Sequence, residues 1–332
     1  MRVFVYEHVT GGGMASQALP PRLAREADLM ARSLVADLGD VPGVTVLASR
    51  DPRLAPLPGV ESIPAEPGDA PLDLFARGLE AADAVWPTAP ETGGLLEELA
   101  RMTLAGNRLL LGCRPEAIRL ASSKYRTAHA LRGAGVPVVP TFRGGESLPP
   151  RVGAWIVKLD DGAGCEGARR VPDWETARRL LADASSGPVA QPWLEGEPSS
   201  LSLICCEGRA RVLSVNRQRV RFDGEQPVLE SLRINALPVQ EQAHGLLAAS
   251  IAAAVPGLWG CVGVDFISTP YSPVVLEINP RLTTSFSALR QATGLNAPAM
   301  VLAMLGGGGL SAHPRPPIDI AVDIPLEAAG AR

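Results

Sequence analysis

Residues 261–279 read CVGVDFISTPYSPVVLEIN. Two β-rich runs, 261–267 and 274–279, flank a segment broken by Pro270 and Pro273, the punctuation of a turn between strands. Side chains alternate faces along a strand. Asp265 therefore lies on one face with Cys261, Gly263 and Ile267, while Glu277 shares a face with Asn279. Folding the segment about Tyr271 sets Asp265 opposite Glu277, each six residues from the fold point. Two like charges on facing strands repel. A cation between them removes that penalty, and two carboxylates with an amide form a hard-oxygen set. Mg²⁺ suits such a set, because it keeps several waters and shares its remaining positions with nucleotide phosphates. The alternative is a solvated hairpin with incidental acids.

Upstream, residues 154–167 read AWIVKLDDGAGCEG. A strand over 155–159 delivers Lys158, and Gly162, Gly164 and Gly167 follow in a loop whose backbone N–H groups can wrap phosphates. The glycines match the dinucleotide pattern G-x-G-x-x-G literally. That pattern works only where its glycines open a helix directly after the strand. Here ARRV (168–171) reads as a return strand, and Pro172-Asp173 starts a helix later, running to about 184. The spacing predicts a hairpin flap over a nucleotide. No G-x-x-x-x-G-K-[ST] occurs, which excludes a P-loop.

Lysine usage sharpens this reading. Of the 31 cationic side chains 29 are arginines, and only Lys124 and Lys158 are lysines. An ammonium is a compact point charge that fits between phosphate oxygens, where a guanidinium is a broad planar fork. Lys124 stands in SSK at a helical run through Leu131. A further strand, VAQPWLEGE (189–197), contains Pro192, which lacks an N–H and so leaves only alternate backbone groups for a flat base. Glu197 at its end is placed to accept from ribose hydroxyls.

Farther out, residues 1–113 alternate strands (1–7, 44–48, 84–86, 109–111) with helical patterns (21–38, 72–81, 92–105), the signature of a parallel sheet with helices on its faces. Such sheets bind ligands at the carboxyl ends of their strands, where Glu7 and Glu91 fall. After 188 the chain is strand-rich: 200–206, 210–216 and 228–235, then a helix at 239–254. Residues 306–318, rich in Gly and Pro, read as a loop. Three units follow: 1–113, 114–188 and 189–332.

Composition bounds the function. With 332 residues, 46% hydrophobic and 20% charged, the chain has ample apolar material for sizeable cores. A net charge of −4 argues against a nucleic-acid binder. Five cysteines without a C-x-x-C pair suit a reducing cytoplasm rather than a disulfide framework. A strand-like run from residue 2 leaves no room for a secretory signal, and no apolar stretch reaches the roughly 20 residues of a membrane span. His8, His129, His244 and His313 are isolated and read as structural.

Taken in order, Lys124 at its helix, Lys158 before the glycine flap, QPWLEGE, GVDFI and LEINPR resemble the ATP-grasp superfamily over roughly residues 115–300. The resemblance implies an α+β fold in which a Rossmann-like amino-terminal sheet precedes two subdomains that clasp ATP. It implies ATP and Mg²⁺ (or Mn²⁺) as cofactors and an ADP-forming ligase that joins a carboxylate to an amine through an acyl-phosphate. On that pattern Lys124, Lys158, Gly162, Gly164, Gly167, Gln191, Trp193, Leu194 and Glu197 hold the nucleotide, and Asp265, Glu277 and Asn279 hold the metal. Lys158 and Arg281 then act on the reacting groups. Where the family often carries its ribose glutamate, one residue after Glu197, this chain has Pro198.

FVYEHVTGGG (4–13), WPTAPETGGLL (86–96) and SVNRQRV (214–220) are similar to the small ATP-grasp ligases that attach glutamate to tyramine in methanofuran-type coenzyme biosynthesis. Arg217, Arg219 and Arg221 alternate on one strand, and Arg233 and Arg281 lie in neighbouring segments. Guanidinium groups pair bidentately with carboxylates, so Arg219, Arg233 and Arg281 are candidates for an acidic substrate, with Glu7 and Glu91 for an amine. The expected partners are those small molecules and a second copy in a homodimer. Other ATP-grasp amino-acid ligases, phosphotransferases and a non-catalytic nucleotide binder are the competing readings.

Overall fold

A computed structural model of the chain describes residues 1–65, 68–146, 153–183, 187–308, 310 and 322–325. Among these residues the strands form three sheets. In the first, β1 (Arg2–Glu7), β2 (Thr45–Arg50), β3 (Glu61–Pro64), β4 (Ala84–Thr88) and β5 (Leu109–Leu110) run parallel in the order β3-β2-β1-β4-β5. A parallel strand covered on both faces reads as a continuous apolar run, and β1 is buried from Val3 to Glu7. Helix α1 (Pro21–Gly39) packs Met30, Leu34 and Leu38 on the Val3, Val5 and Val46 face. Helices α2 (Pro71–Glu80) and α3 (Leu95–Ala105) supply Phe75 and Leu99 to the face of Phe4 and Tyr6. Glu7 and Thr88 pair at the carboxyl ends of β1 and β4, so this edge opens toward the rest of the molecule.

Two short helices follow, α4 (Pro115–Ala121) and α5 (Lys124–Gly133). The second sheet is antiparallel, with β6 (Phe142–Arg143), β7 (Trp155–Leu159), β8 (Arg169–Val171) and β9 (Pro188–Pro192) in the order β6-β9-β7-β8. Helix α6 (Trp174–Asp183) buries Ala177 and Leu181 against Trp155, Val157 and Val171. β7 and β8 pair directly, so the glycine segment between them is the hairpin flap expected from ARRV.

The third sheet takes β10 (Glu197–Cys206), β11 (Arg209–Asp223), β12 (Gln226–Leu237), β13 (Gly260–Ser268), β14 (Pro273–Asn279) and β15 (Val322–Pro325), in the order β14-β13-β10-β11-β12-β15. Helix α7 (Leu246–Ala254) packs Leu247, Ala248 and Ile251 on Leu203, Val215 and Val262. Helices α8 (Leu289–Thr293) and α9 (Ala297–Leu305) pack Leu289 and Val301 with Ile204 and Cys261 of the opposite face, beside Trp86 of the first sheet. The first and third sheets thus share cores, which fixes the amino-terminal edge over β13 and β14.

Several boundaries differ from the sequence expectation. The separate strands at 210–216 and 228–235 are one long hairpin, β11–β12, whose outer half is held by β15, a short strand with weak local signal. Glu197 begins β10 instead of sitting in a turn. A wide-wound turn at Glu241–Gly245 precedes α7. Of the 306–318 loop only 306–308 and 310 lie among the described residues, and His313 lies outside them. No helix among the described residues is long and apolar enough to cross a membrane.

Candidate active site

The β13–β14 register sets Gly263 opposite Asn279 and Asp265 opposite Glu277. The ladder then slips by one residue between Asp265 and Phe266. A bulge there bends the strand and re-aims the side chains beside it. Asp265 is gripped on both oxygens: Gln218 Nε2 donates to Oδ1 at 2.7 Å, and Asn279 Nδ2 donates to Oδ2 at 3.0 Å. Glu277 Oε2 instead meets two cations, Lys158 Nζ at 3.1 Å and Lys124 Nζ at 3.6 Å. Burial, and then the facing Glu277, push the Asp265 carboxyl up to about 6. Burial acts the same way on Glu277, but Lys158 and Lys124 outweigh it and hold that carboxyl down at about 2. Facing acids driven to opposite protonation tendencies mark functional sites more often than structural ones.

Each lysine is positioned by its element. Lys124 is the first residue of α5, directly after the capping Ser123, whose Oγ accepts from Arg126 N at 3.1 Å. Only 6% exposed, it donates through Nζ to Gly162 O at 2.5 Å and to Asp160 O at 3.4 Å. The Asp160 carboxylate in turn accepts from Tyr125 N at 2.8 Å and from Ser123 Oγ at 2.7 Å, and pairs with Arg143. The start of α5 and the base of the flap are therefore one hydrogen-bonded unit. In the flap, Gly164 and Gly167 have φ of +63° and +66°, where a side chain would be strained. Cys165 adopts the same region at +65°.

The end of β9 is equally specific. Gln191 Nε2 donates to Thr141 Oγ1 at 2.9 Å, and Trp193 N donates to Ala154 O at 2.8 Å. The Arg170 guanidinium lies 4.5 Å over the Trp193 ring, and the indole N–H donates to Glu195 Oε1 at 2.6 Å. Pro192 has no N–H and that of Trp193 is taken. Leu194 is the next main-chain donor along the chain. Glu197 pairs with Arg217 at 3.0 Å.

The family profile for the ATP-grasp domain matches residues 121–285, and that for the pre-ATP-grasp domain matches 44–118. The chain belongs to the ATP-grasp superfamily. It is similar to the tyramine–L-glutamate ligase of Methanocaldococcus jannaschii, 30% identical over 211 residues, which cover 64% of this chain and 59% of that one. The tyramine–L-glutamate ligase of Methanocaldococcus fervens is 27% identical over 215 residues, 64% of this chain and 62% of that one. The chain thus spans less than two thirds of the length of these relatives. A crystal structure of an Archaeoglobus fulgidus protein assigned to the ATP-grasp superfamily superposes with a TM-score of 0.69 at 26% identity, covering 93% of this chain and 88% of that one.

Within this ATP-grasp frame, Lys124, Lys158, Asp265, Glu277 and Asn279 come together where the second and third sheets meet. The donor set fits Mg²⁺. Among the described residues no group of three or more His, Cys, Asp and Glu side chains could hold a metal ion. Two carboxylates and an amide leave the other positions to water and phosphate, as Mg²⁺ prefers. Two lysines beside Glu277 likewise suit a polyphosphate.

The substrate candidates divide. Arg281 binds Glu91 bidentately, Nε to Oε1 at 2.9 Å and Nη2 to Oε2 at 3.1 Å, two residues beyond Asn279. Glu7, 4% exposed, accepts from Thr10 N and Thr10 Oγ1 at 2.6 Å each and from Val9 N at 3.2 Å. Burial raises its carboxyl above the ordinary range against those hydrogen bonds and the more distant charge of Arg281. Arg219 and Arg233 lie outside this cluster, paired with Glu230 at 2.9 Å and Asp323 at 3.4 Å on the exposed part of the β11–β12 hairpin. His8, His129 and His244 bond locally to Tyr6, Tyr125 O and Gln240 N.

Sequence reasoning missed three groups that touch the site: Gln218 on Asp265, Asp160 at the α5 start, and Asp161, which reaches the amino-terminal unit. Gln218 alternates with Arg217 and Arg219, so the stripe that drew attention to the arginines also marked it as facing the other way.

Proposed function

We propose that the chain is an ATP- and Mg²⁺-dependent carboxylate–amine ligase that joins glutamate to tyramine or a related aromatic amine. The convergence of Lys124 and Lys158 on Glu277, beneath a glycine flap and opposite Asp265, carries this reading. It is an arrangement for polyphosphate and a hard cation. The cation supplies neutralisation of phosphate charge. ATP phosphorylates the carboxylate, the amine attacks the acyl carbon, and phosphate departs with the former carboxylate oxygen.

The residues of the chain hold and orient the reactants. No protein nucleophile is needed, since catalysis of this kind rests on positioning and charge stabilisation. Lys124 and Lys158 steady the transferring phosphoryl oxygens. Arg281 stands beside the metal set to hold a carboxylate, and Glu7, a buried acid at the sheet edge, takes an ammonium. The likeness to the two tyramine–L-glutamate ligases supports the choice of substrates, and we propose that this reaction serves methanofuran-type cofactor synthesis. An ADP-release assay across amino acids and amines tests the proposal: ADP should form with glutamate and tyramine together and with neither alone. Release that ignores the amine would point to a phosphotransferase.

A further inference from the structure

Glu91 places a carboxylate in the Arg281 fork, with the parallel two-bond geometry by which a guanidinium binds a free carboxylate. The partners are 190 positions apart, so the pairing is made only when the amino-terminal unit meets the β14 end. Arg281 also feels the charges of Glu7 and Asp265, which makes three acids around one partly buried guanidinium. A fourth carboxylate added there would meet like charge in a poorly solvated place. Exchange of one carboxylate for another leaves the charge unchanged.

Glu91 has room to leave. It lines a cleft of about 480 Å³ whose walls include Gly94, Ser123 and Arg126. The turn behind it is exposed from Thr92 to Gly94, with glycines at φ of +67° and +74°. We propose that Glu91 is a placeholder: it fills the Arg281 fork when no substrate carboxylate is bound and yields the fork to that carboxylate. The identity of the incoming group rests on the ligase reading. The same turn also grips the flap, since Thr92 Oγ1 donates to Asp161 O at 3.0 Å and Gly93 N to Asp161 Oδ2 at 2.9 Å. Displacement of Glu91 is therefore felt at the base of the phosphate flap.

Calorimetric binding of L-glutamate to the protein held with ADP and Mg²⁺, where no turnover occurs, tests the placeholder. Glu91→Gln removes the competing charge and should bind glutamate at least tenfold more tightly than the wild type, about 1.4 kcal/mol. Arg281→Gln should lose glutamate binding. If Glu91→Gln fails to fold, Glu91→Asp, whose shorter arm holds the fork less well, should show a smaller gain. Failure of the ligase reading looks different: both proteins then ignore glutamate, yet acetate still binds Glu91→Gln more tightly than the wild type. No gain for either carboxylate, or a loss, overturns the placeholder and leaves Glu91 as a group that merely orients Arg281.

Discussion

Lys158 donates to Glu277 Oε2 at 3.1 Å across 119 positions of sequence, from a strand of the second sheet to a strand of the third. This bond joins the flap-bearing sheet to the strand that carries Glu277 and Asn279. Replacing Lys158 by Arg keeps the charge but swaps a slim donor for a wide fork. ATP turnover should fall at least about tenfold, near 1.4 kcal/mol of transition-state stabilisation, and Lys124→Arg should also lose activity. Steady-state ADP release checks both. Normal rates in both variants would mean the two lysines have no special role.

On the proposed metal reading, Asp265→Asn and Glu277→Gln each remove a ligand charge that Mg²⁺ demands. Turnover at ordinary magnesium should disappear in each, with circular dichroism unchanged. Near-normal activity in either variant would count against the metal reading.

The same acid governs stability with the opposite sign. Asp265 titrates near 3.8 in an unfolded chain and about 6 in the folded protein. The folded state holds this proton more tightly, so stability is lost as pH rises from about 4 through 6. Glu277 runs the other way, from 4.5 down to about 2, and its contribution is complete above 4.5 and lost as pH falls toward 2. Asp265→Asn removes the first effect. It should raise stability at neutral pH relative to the wild type, a difference that fades below about pH 4. Denaturant titrations at several pH values measure this, and an unchanged or lowered stability at neutral pH would contradict it.

Glu7 is the buried acid whose hydrogen bonds come from Thr10 and Val9 while Glu91 is committed to Arg281. As an ammonium anchor, its removal should cost about 2–5 kcal/mol of amine binding. Glu7→Gln is expected to raise KM for the amine and leave KM for ATP nearly unchanged. Equal effects on both constants would move the amine elsewhere.

Much of this site was legible because it is built from local patterns. The period of two in 261–267 and 274–279, with prolines between, fixed the facing of Asp265 and Glu277, and ARRV after the glycines showed a flap. The one-residue slip after Asp265 had no local signal, because a bulge is decided by what packs against the strand. The Arg281–Glu91 pair and the Gln218–Asp265 bond escaped for another reason. They join segments that local periodicity describes separately, so only the packing of one sheet on another brings them into contact. β3 and β15 are short edge strands whose pairing comes from their neighbours.

The acyl-phosphate is the core of the account, and oxygen tracing tests it most directly. Glutamate labelled with ¹⁸O in its carboxylates is turned over with ATP, Mg²⁺ and tyramine, and the released phosphate is weighed by mass spectrometry. One labelled oxygen should appear in phosphate for each amide formed, since the carboxylate oxygen leaves with the phosphoryl group. Amide formation with all label retained in the organic product would contradict the account.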